Sequence, residues 1–255
     1  MMKIMTIIPA RMGSSRLPGK PLADIHGDPM IVHVLRRAQE AALGPVWVAC
    51  AEPSIIDAVE KACGKAVLTD PDLPSGSDRV RAAVDIIDPN KNYDCVINVQ
   101  GDMPTLDPAL LQGLATVLEN KGVDIATAAV ETRDALEISD PNVVKAVLAM
   151  AQNDDPSHIA RALYFSRAAL PYGAKKVYHH LGVYAYRRAA LDRFCDLSPS
   201  YLEQVERLEQ LRALEAGMRI DVAIVKSAPH GVDTADDLER ARALLKHVKK
   251  SEVKT

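Results

Sequence analysis

No apolar stretch in this chain of 255 residues approaches the roughly 20 residues that a membrane-spanning helix requires, so membrane insertion is not expected. The N-terminal run Ile4–Ile8 is too short for a signal-peptide core and passes straight into Pro9 and Arg11, so it reads as a strand and the expected location is the cytoplasm. The four cysteines, Cys50, Cys63, Cys95 and Cys195, form no CxxC pair. Zinc and dithiol chemistry are therefore unsupported, and reduced, buried thiols are expected. Neither sign of charge dominates. A net charge of −3 provides no global basic field, so nucleic acid is not an expected partner, and any anionic ligand must be held by a local group of cations. Internal repeats, low-complexity tracts and Gly/Ser linkers are also missing, which favours one unit over residues 1–255.

What is present is an alternation of short apolar runs with helical spacing. Lys3–Pro9, Val46–Ala51, Lys65–Leu68, Cys95–Val99 and Asp124–Val130 read as strands, and Met30–Ala42, Pro53–Ala62, Ser77–Asp88 and Pro108–Lys121 as helices. This rhythm predicts an α/β protein with a mostly parallel sheet. Between Glu131 and Arg187 the rhythm loosens into the strand-like segments Val143–Met150 and Val177–Tyr186, consistent with a β-rich insertion for substrate or dimer contact. Gln152–His158 reads as a polar loop. Helical periodicity returns over Arg188–Leu197 and Tyr201–Ala216, the latter with Val205, Leu208, Leu211 and Leu214 on one side. Ile220–Val225 is a last strand. Thr234 and Asp237 suggest a capping box for a final helix whose stripe is Leu238, Ala241, Leu245 and Val248, followed by a Lys-rich tail after Lys246.

In parallel sheets of this kind ligands bind beyond the carboxyl ends of the strands, and three polar segments fall there. The first, after the first strand, places Arg11, Arg16 and Lys20 among Gly13, Ser14, Ser15 and Gly19. Glycines let the backbone approach an anion that the cations neutralise. Five residues separate Gly13 from Gly19 and Pro21 follows Lys20, so the turn is not a P-loop; GxGxxG is also absent after this strand. A solvated basic loop is the alternative. The other two segments are Ser75–Arg79 and Gln100–Asp102. Asp102 would face phosphates held by the first turn, and Mg²⁺ binds through one or two carboxylates plus substrate oxygens. Asp233 is the second candidate acid. Alone, Asp102 reads equally as an ordinary turn aspartate and Asp233 as a helix-start acid favoured by the macrodipole. His179 and His180 precede a strand carrying Tyr184 and Tyr186 on one face, and Glu209 and Gln210 flank an apolar stripe. Structural roles account for these as readily as binding does.

Taken together, a longer set of motifs goes further. IIPARMGSSRLPGKPL at Ile7–Leu22, SGSDR at Ser75–Arg79, NVQGDMP at Asn98–Pro104, PNVVK at Pro141–Lys145, LYFSR at Leu163–Arg167, HLGVYAYR at His180–Arg187, LEQLR at Leu208–Arg212 and GVDTADDLER at Gly231–Arg240 occur in order. Up to about Leu245 the chain resembles the 3-deoxy-D-manno-octulosonate (KDO) cytidylyltransferase family. The resemblance implies a three-layer, nucleotide-diphospho-sugar-transferase-like (Rossmann-like) fold and a homodimer. It implies transfer of CMP from CTP to KDO for lipopolysaccharide synthesis, with Mg²⁺. By motif it assigns Arg11, Lys20 and Arg16 to the CTP phosphates, and Ser75, Arg79 and Gln100 to the surroundings of the cytidine. Asp102 and Asp233 would ligate the metal. Arg167, His180, Tyr184, Glu209 and Gln210 would hold the sugar acid. Two features depart from the pattern: Met103 stands where the family turn has Glu, and Tyr172–Val177 is shorter than the corresponding loop. Three other readings make different demands. A sialic-acid cytidylyltransferase is disfavoured by the LYFSR, HLGVYAYR and LEQLR segments, a non-catalytic nucleotide binder by the presence of Lys20 and both acids, and a dehydrogenase by the missing glycine fingerprint.

Overall fold

The computed structural model describes residues 2–14, 16–150 and 158–246. Ser15, most of the expected polar loop at 152–158, Val248 and the Lys-rich tail lie outside the described residues. The chain divides into two compact units, one formed by Lys3–Leu111 with Pro229–Thr255 and the other by Gln112–Ala228.

The first unit begins with β1 (Ile4–Ala10), a run in which Met5, Ile7 and Ile8 have no solvent exposure. A single 3₁₀ turn at Lys20–Leu22 and a small hairpin, β2 (Asp24–Ile25) and β3 (Asp28–Pro29), lead into α1 (Met30–Glu40). Next come β4 (Val46–Cys50), α2 (Pro53–Lys61), β5 (Lys65–Leu68), α3 (Gly76–Ile87) and β6 (Cys95–Asn98). Strands β5, β4, β1 and β6 lie in that order and are all parallel. Near-continuous apolar runs and intervening helices are what a parallel sheet covered on both faces demands. Here the expected parallel α/β pattern is met. Ser75, two residues ahead of the expected helix start at Ser77, caps α3: its hydroxyl accepts from the Asp78 N–H at 3.1 Å. Ser77 itself is buried in the first turn. Helix α4 (Pro108–Val117) then carries the chain out of this unit.

The second unit contains β7 (Ile125–Thr132), α5 (Ala135–Ser139), β8 (Lys145–Ala149), β9 (Ile159–Ser166), β10 (Val177–Arg187), α6 (Arg188–Asp196), α7 (Tyr201–Glu206), α8 (Leu211–Glu215) and β11 (Ile220–Val225). Its strand order is β10-β7-β11-β9-β8, and β8 also meets β10 at two residue pairs. Among the described residues of this unit, only β7 and β11 run parallel. The other pairings are antiparallel, so a mostly parallel sheet describes the first unit and a mixed one the second. The expected β-rich segment 131–187 falls within this second unit.

One expected helix is broken. Tyr201–Ala216 has continuous helical periodicity, yet α7 stops at Glu206 and Arg207 adopts a left-handed conformation with φ 54°. The Arg207 and Leu208 N–H groups both donate to the Glu203 carbonyl, closing the helix end in the Schellman manner. Val205 consequently turns outward and is 63% exposed, while Leu208 and Leu211 stay buried. None of the four cysteines forms a disulfide; Cys50 and Cys95 are buried as expected, but Cys63 is exposed in the turn after α2. The last helix, α9 (Ala235–Leu245), belongs to the first unit and has the full capping box between Thr234 and Asp237. Its inner face joins Leu238 and Ala241 to Ile25, Met30 and Val232, with Leu245 packed alongside.

Candidate nucleotide and sugar sites

In the first unit, the chain leaving β1 at Ala10 forms the turn through Lys20, and the chain leaving β6 at Asn98 forms the turn through Asp102. Glycines are needed at two points. Gly19 sits at φ 69°, starting the 3₁₀ turn that carries Lys20, and a Cβ on Gly101 would lie 2.9 Å from the Pro9 carbonyl oxygen. The second strand end contributes Glu52, whose carboxylate oxygens both accept from the Met12 N–H at 3.1 Å. It was missed in the motifs, although its place just after β4 is a signal for it. Beneath it, the Cys50 thiol is pushed up to about 12 by burial and by Glu52, so it stays protonated.

These turns enclose a cavity of about 400 Å³. Arg11, Arg16, Lys20, Ser75, Arg79, Gln100, Asp102 and Asp233 all line it. Four cations thus face two carboxylates, a balance suited to a polyanion. Lys20 Nζ lies 2.7 Å from Asp102 Oδ2 and 3.0 Å from Asp233 Oδ1. Burial alone would lower the Lys20 pKa, but the charges and hydrogen bonds of the two carboxylates more than offset it, and the net shift is upward. Arg16 adds a 3.1 Å contact to Asp233 from a more exposed position. Asp233 reaches the cluster because the Val232 N–H donates to the Asp102 carbonyl at 2.9 Å and the capping box anchors the next residue.

Two lining residues also serve the scaffold. Ser75 holds the start of α3, its hydroxyl contacting Asp78 Oδ2 at 2.8 Å. Arg79 is buried and donates to Thr69 Oγ1 and to the Asp70 and Pro71 carbonyls, fixing the loop after β5. The turn at Met103 is closed by its own backbone, since the Leu106 N–H donates to the Met103 carbonyl at 3.1 Å.

The donor set suits Mg²⁺. Asp102 and Asp233 address one cationic point through oxygen, the ligand type this ion takes, and substrate oxygens would complete the shell. Among the described residues no group of three or more His, Cys, Asp or Glu side chains is placed to hold a metal without such help.

The second unit carries the residues expected at the sugar acid. His180, Tyr184 and Tyr186 share one face of β10, with ring centroids 5.6 and 5.9 Å apart along the row. A bulge between Leu181 and Tyr184 directs the Leu181 and Val183 carbonyls at the buried Thr127 hydroxyl, which also lies 2.9 Å from His180 Nε2. Burial, followed by the neighbouring His179, pushes His180 down to about 3, so the ring is neutral. A hydroxyl that donates to a carbonyl accepts from Nε2–H, which leaves Nδ1 as the acceptor. Burial and the charge of Glu209 push the Tyr184 phenol upward, so it stays a donor. Gln210 is buried, and its Nε2 has no partner among the described residues. Arg167 is occupied differently: its guanidinium donates to the carbonyls of Glu206, Pro141 and Arg207.

A cation-rich cavity with paired carboxylates, set beyond the ends of parallel strands, defines a nucleotide-binding α/β protein. Residues 5–220 match the Cytidylyltransferase family, and the chain belongs to that family. It is 57% identical to 3-deoxy-manno-octulosonate cytidylyltransferase of Paramagnetospirillum magneticum over 240 residues, covering 94% of this chain and 96% of that one. With the protein of the same name from Rhodospirillum centenum it shares 59% identity over 239 residues, 94% and 92% of the two chains. Among solved structures it resembles CMP:2-keto-3-deoxy-manno-octonic acid synthetase complexed with CTP, at TM-score 0.87 and 39% identity, covering 96% of this chain and 99% of that one. No helix among the described residues is long and apolar enough to cross a membrane.

Proposed function

We infer that this chain is a nucleotidyltransferase that moves CMP from CTP to the anomeric hydroxyl of KDO, releasing pyrophosphate, in lipopolysaccharide synthesis. The observation that carries the site reading is the convergence of Lys20 with Asp102 and Asp233 in a cavity lined by four cations. The finer fold reading is a three-layer, nucleotide-diphospho-sugar-transferase-like sheet in which 131–187 is a substrate and dimer insertion of a single catalytic domain. A cytoplasmic homodimer with Mg²⁺ as its cofactor completes the proposal.

In this reading the anomeric hydroxyl attacks the α-phosphorus in line with the leaving pyrophosphate, and catalysis is mainly positioning and charge neutralisation. Arg11, Arg16 and Lys20 hold the phosphates, with Ser75, Arg79 and Gln100 around the cytidine. Asp102 and Asp233 would hold Mg²⁺, which would supply neutralisation of phosphate charge and would lower the pKa of the attacking hydroxyl. Lys20 is a preorganised donor to the charge that grows on the phosphate oxygens. His180, protonated at Nε2, offers Nδ1 to a sugar hydroxyl; Tyr184 donates, and Gln210 Nε2 finds in the sugar acid the acceptor it lacks among the described residues. Glu209 and Arg167 complete that side. No covalent enzyme intermediate is required.

Pyrophosphate release from CTP, with and without KDO, tests the function. KDO-dependent release is expected, and its absence at saturating Mg²⁺ would refute the assignment. Sialic acid and 8-amino-KDO in place of KDO define the acceptor, with turnover of KDO expected to exceed that of sialic acid.

A further inference from the structure

Lys145 on β8 has no solvent exposure, and no substrate role accounts for it. Burying an ammonium group is costly unless its donors are satisfied, and an apolar side chain of similar length would usually be more stable there. Its Nζ donates to the Asp140 carbonyl at 2.8 Å and the Val143 carbonyl at 2.6 Å, holding the turn before β8. Within that turn the Pro141 carbonyl accepts from Arg167 Nη1 at 3.0 Å. Arg167 in turn donates through Nε to the Glu206 carbonyl at 2.8 Å and through Nη2 to the Arg207 carbonyl at 3.3 Å. The Glu206 carboxylate closes the circuit, accepting from Ser166 Oγ at 2.7 Å and from the Arg167 N–H at 3.0 Å.

The circuit ends on the segment that breaks the expected helix. Apolar periodicity from Tyr201 to Ala216 favours one continuous helix, yet Arg207 is left-handed. A left-handed conformation at a residue with a side chain is unfavourable and persists only where its surroundings enforce it. Were Arg207 to take helical dihedrals, every residue after it would be re-aimed, Gln210 among them. We infer that Lys145 and Glu206 are positioning residues for the sugar acid, bracing through Arg167 the turn at Arg207 that aims Gln210. The inference rests on the reading of Gln210 as a sugar contact.

The test is steady-state kinetics of the full chain with Mg²⁺, varying CTP and KDO separately, for Lys145→Met and Glu206→Gln. The KM for KDO is expected to rise about tenfold with the KM for CTP within about twofold, as loss of a binding geometry confined to one substrate requires. An unchanged KM for KDO, or equal rises in both KM values, would overturn the inference. Should Lys145→Met fail to fold by circular dichroism, Glu206→Gln decides alone. Gln210→Ala, and its combination with Glu206→Gln, separate the two levels of the argument. If the brace acts through Gln210, the double variant is little worse than Gln210→Ala; fully additive losses overturn the inference. A wild-type KM for KDO in Gln210→Ala refutes the sugar-site reading and the inference with it. A raised one there, with Glu206→Gln unaffected, refutes the inference only.

Discussion

Lys20 shows how one side chain can order a site before any ligand arrives. With its ammonium between Asp102 and Asp233, the two acids are drawn together on one side of a cavity lined by four cations. Replacing Asp102 with Asn removes one carboxylate charge while keeping the shape of the side chain. Turnover is expected to fall by about 10²-fold or more, as loss of a catalytic charge contact commonly does. Near wild-type turnover at saturating Mg²⁺ would exclude Asp102 as a ligand. For Asp233→Asn the informative measurement is the Mg²⁺ concentration giving half-maximal rate, which should increase; an unchanged value would reduce Asp233 to a residue that starts a helix. His180 makes a prediction about pH. Burial holds its folded-state pKa at about 3, below the ordinary value of 6.5, so the unfolded chain binds the extra proton between these values. Stability from this group is therefore full above about pH 6.5 and declines as pH falls toward 3, at up to about 1.4 kcal/mol per pH unit. Thermal melts from pH 7 to pH 5 should show a smaller decline in His180→Gln than in the wild type.

At the scale of elements, α9 links stability to the site. Its capping box satisfies the free N–H groups at the helix start, and the Asp233 N–H itself donates to Asp237 Oδ2 at 3.2 Å. Thr234→Ala should cost about 1 kcal/mol, the usual value for an N-cap. It should also raise the Mg²⁺ requirement, because the cap orients the backbone of the neighbouring acid. Chemical denaturation and a Mg²⁺ titration measure these separately; a loss of stability with unchanged Mg²⁺ dependence would uncouple cap from site. The break between α7 and α8 carries the opposite lesson about propensity. Arg212 forms a two-pronged ion pair with Glu203 across the break, at 2.9 and 2.7 Å, while Arg167 binds the carbonyls at its start. The Arg167 contacts span 39 and 40 residues of chain, and local periodicity carries no trace of them.

Across the whole molecule, the first unit presents a cavity of cations with no bulk positive field behind it, since the net charge is −3. Nucleotide affinity should then depend on specific contacts, and CTP should stabilise the folded chain by mass action. At a hundredfold excess over Kd the gain is about 2.7 kcal/mol, readable as a rise in melting temperature. No rise with CTP, in the presence of Mg²⁺, would place the nucleotide elsewhere. Arg11→Ala should reduce the shift, whereas substitution of an exposed residue of the same unit that does not line the cavity, such as Lys61→Ala, should leave it intact.

Resemblance assigned roles to the eight residues that line the cavity of the first unit; the sequence by itself determined the alternation of strands and helices and the turns at the strand ends. These are properties of short segments: an apolar run fits a buried parallel strand, and a strand end in such a sheet is where ligands meet the chain. The capping box at Thr234 was legible for the same reason. By resemblance the motifs also assigned the opening turn, from Arg11 to Lys20, to phosphate binding without a P-loop, the role proposed above. Only the tertiary structure could decide that Asp233 joins Asp102 on one ammonium, because they are separated by 130 residues of chain, a gap no local pattern bridges. It also decided that Arg79 braces a loop, that Glu52 anchors the first turn, that the second unit is mixed rather than parallel, and that a seemingly continuous helix breaks at Arg207. In each case the deciding hydrogen bonds or strand pairings come from partners outside the local repeat. Long-range contacts, unlike periodicity, exist only once the chain has folded.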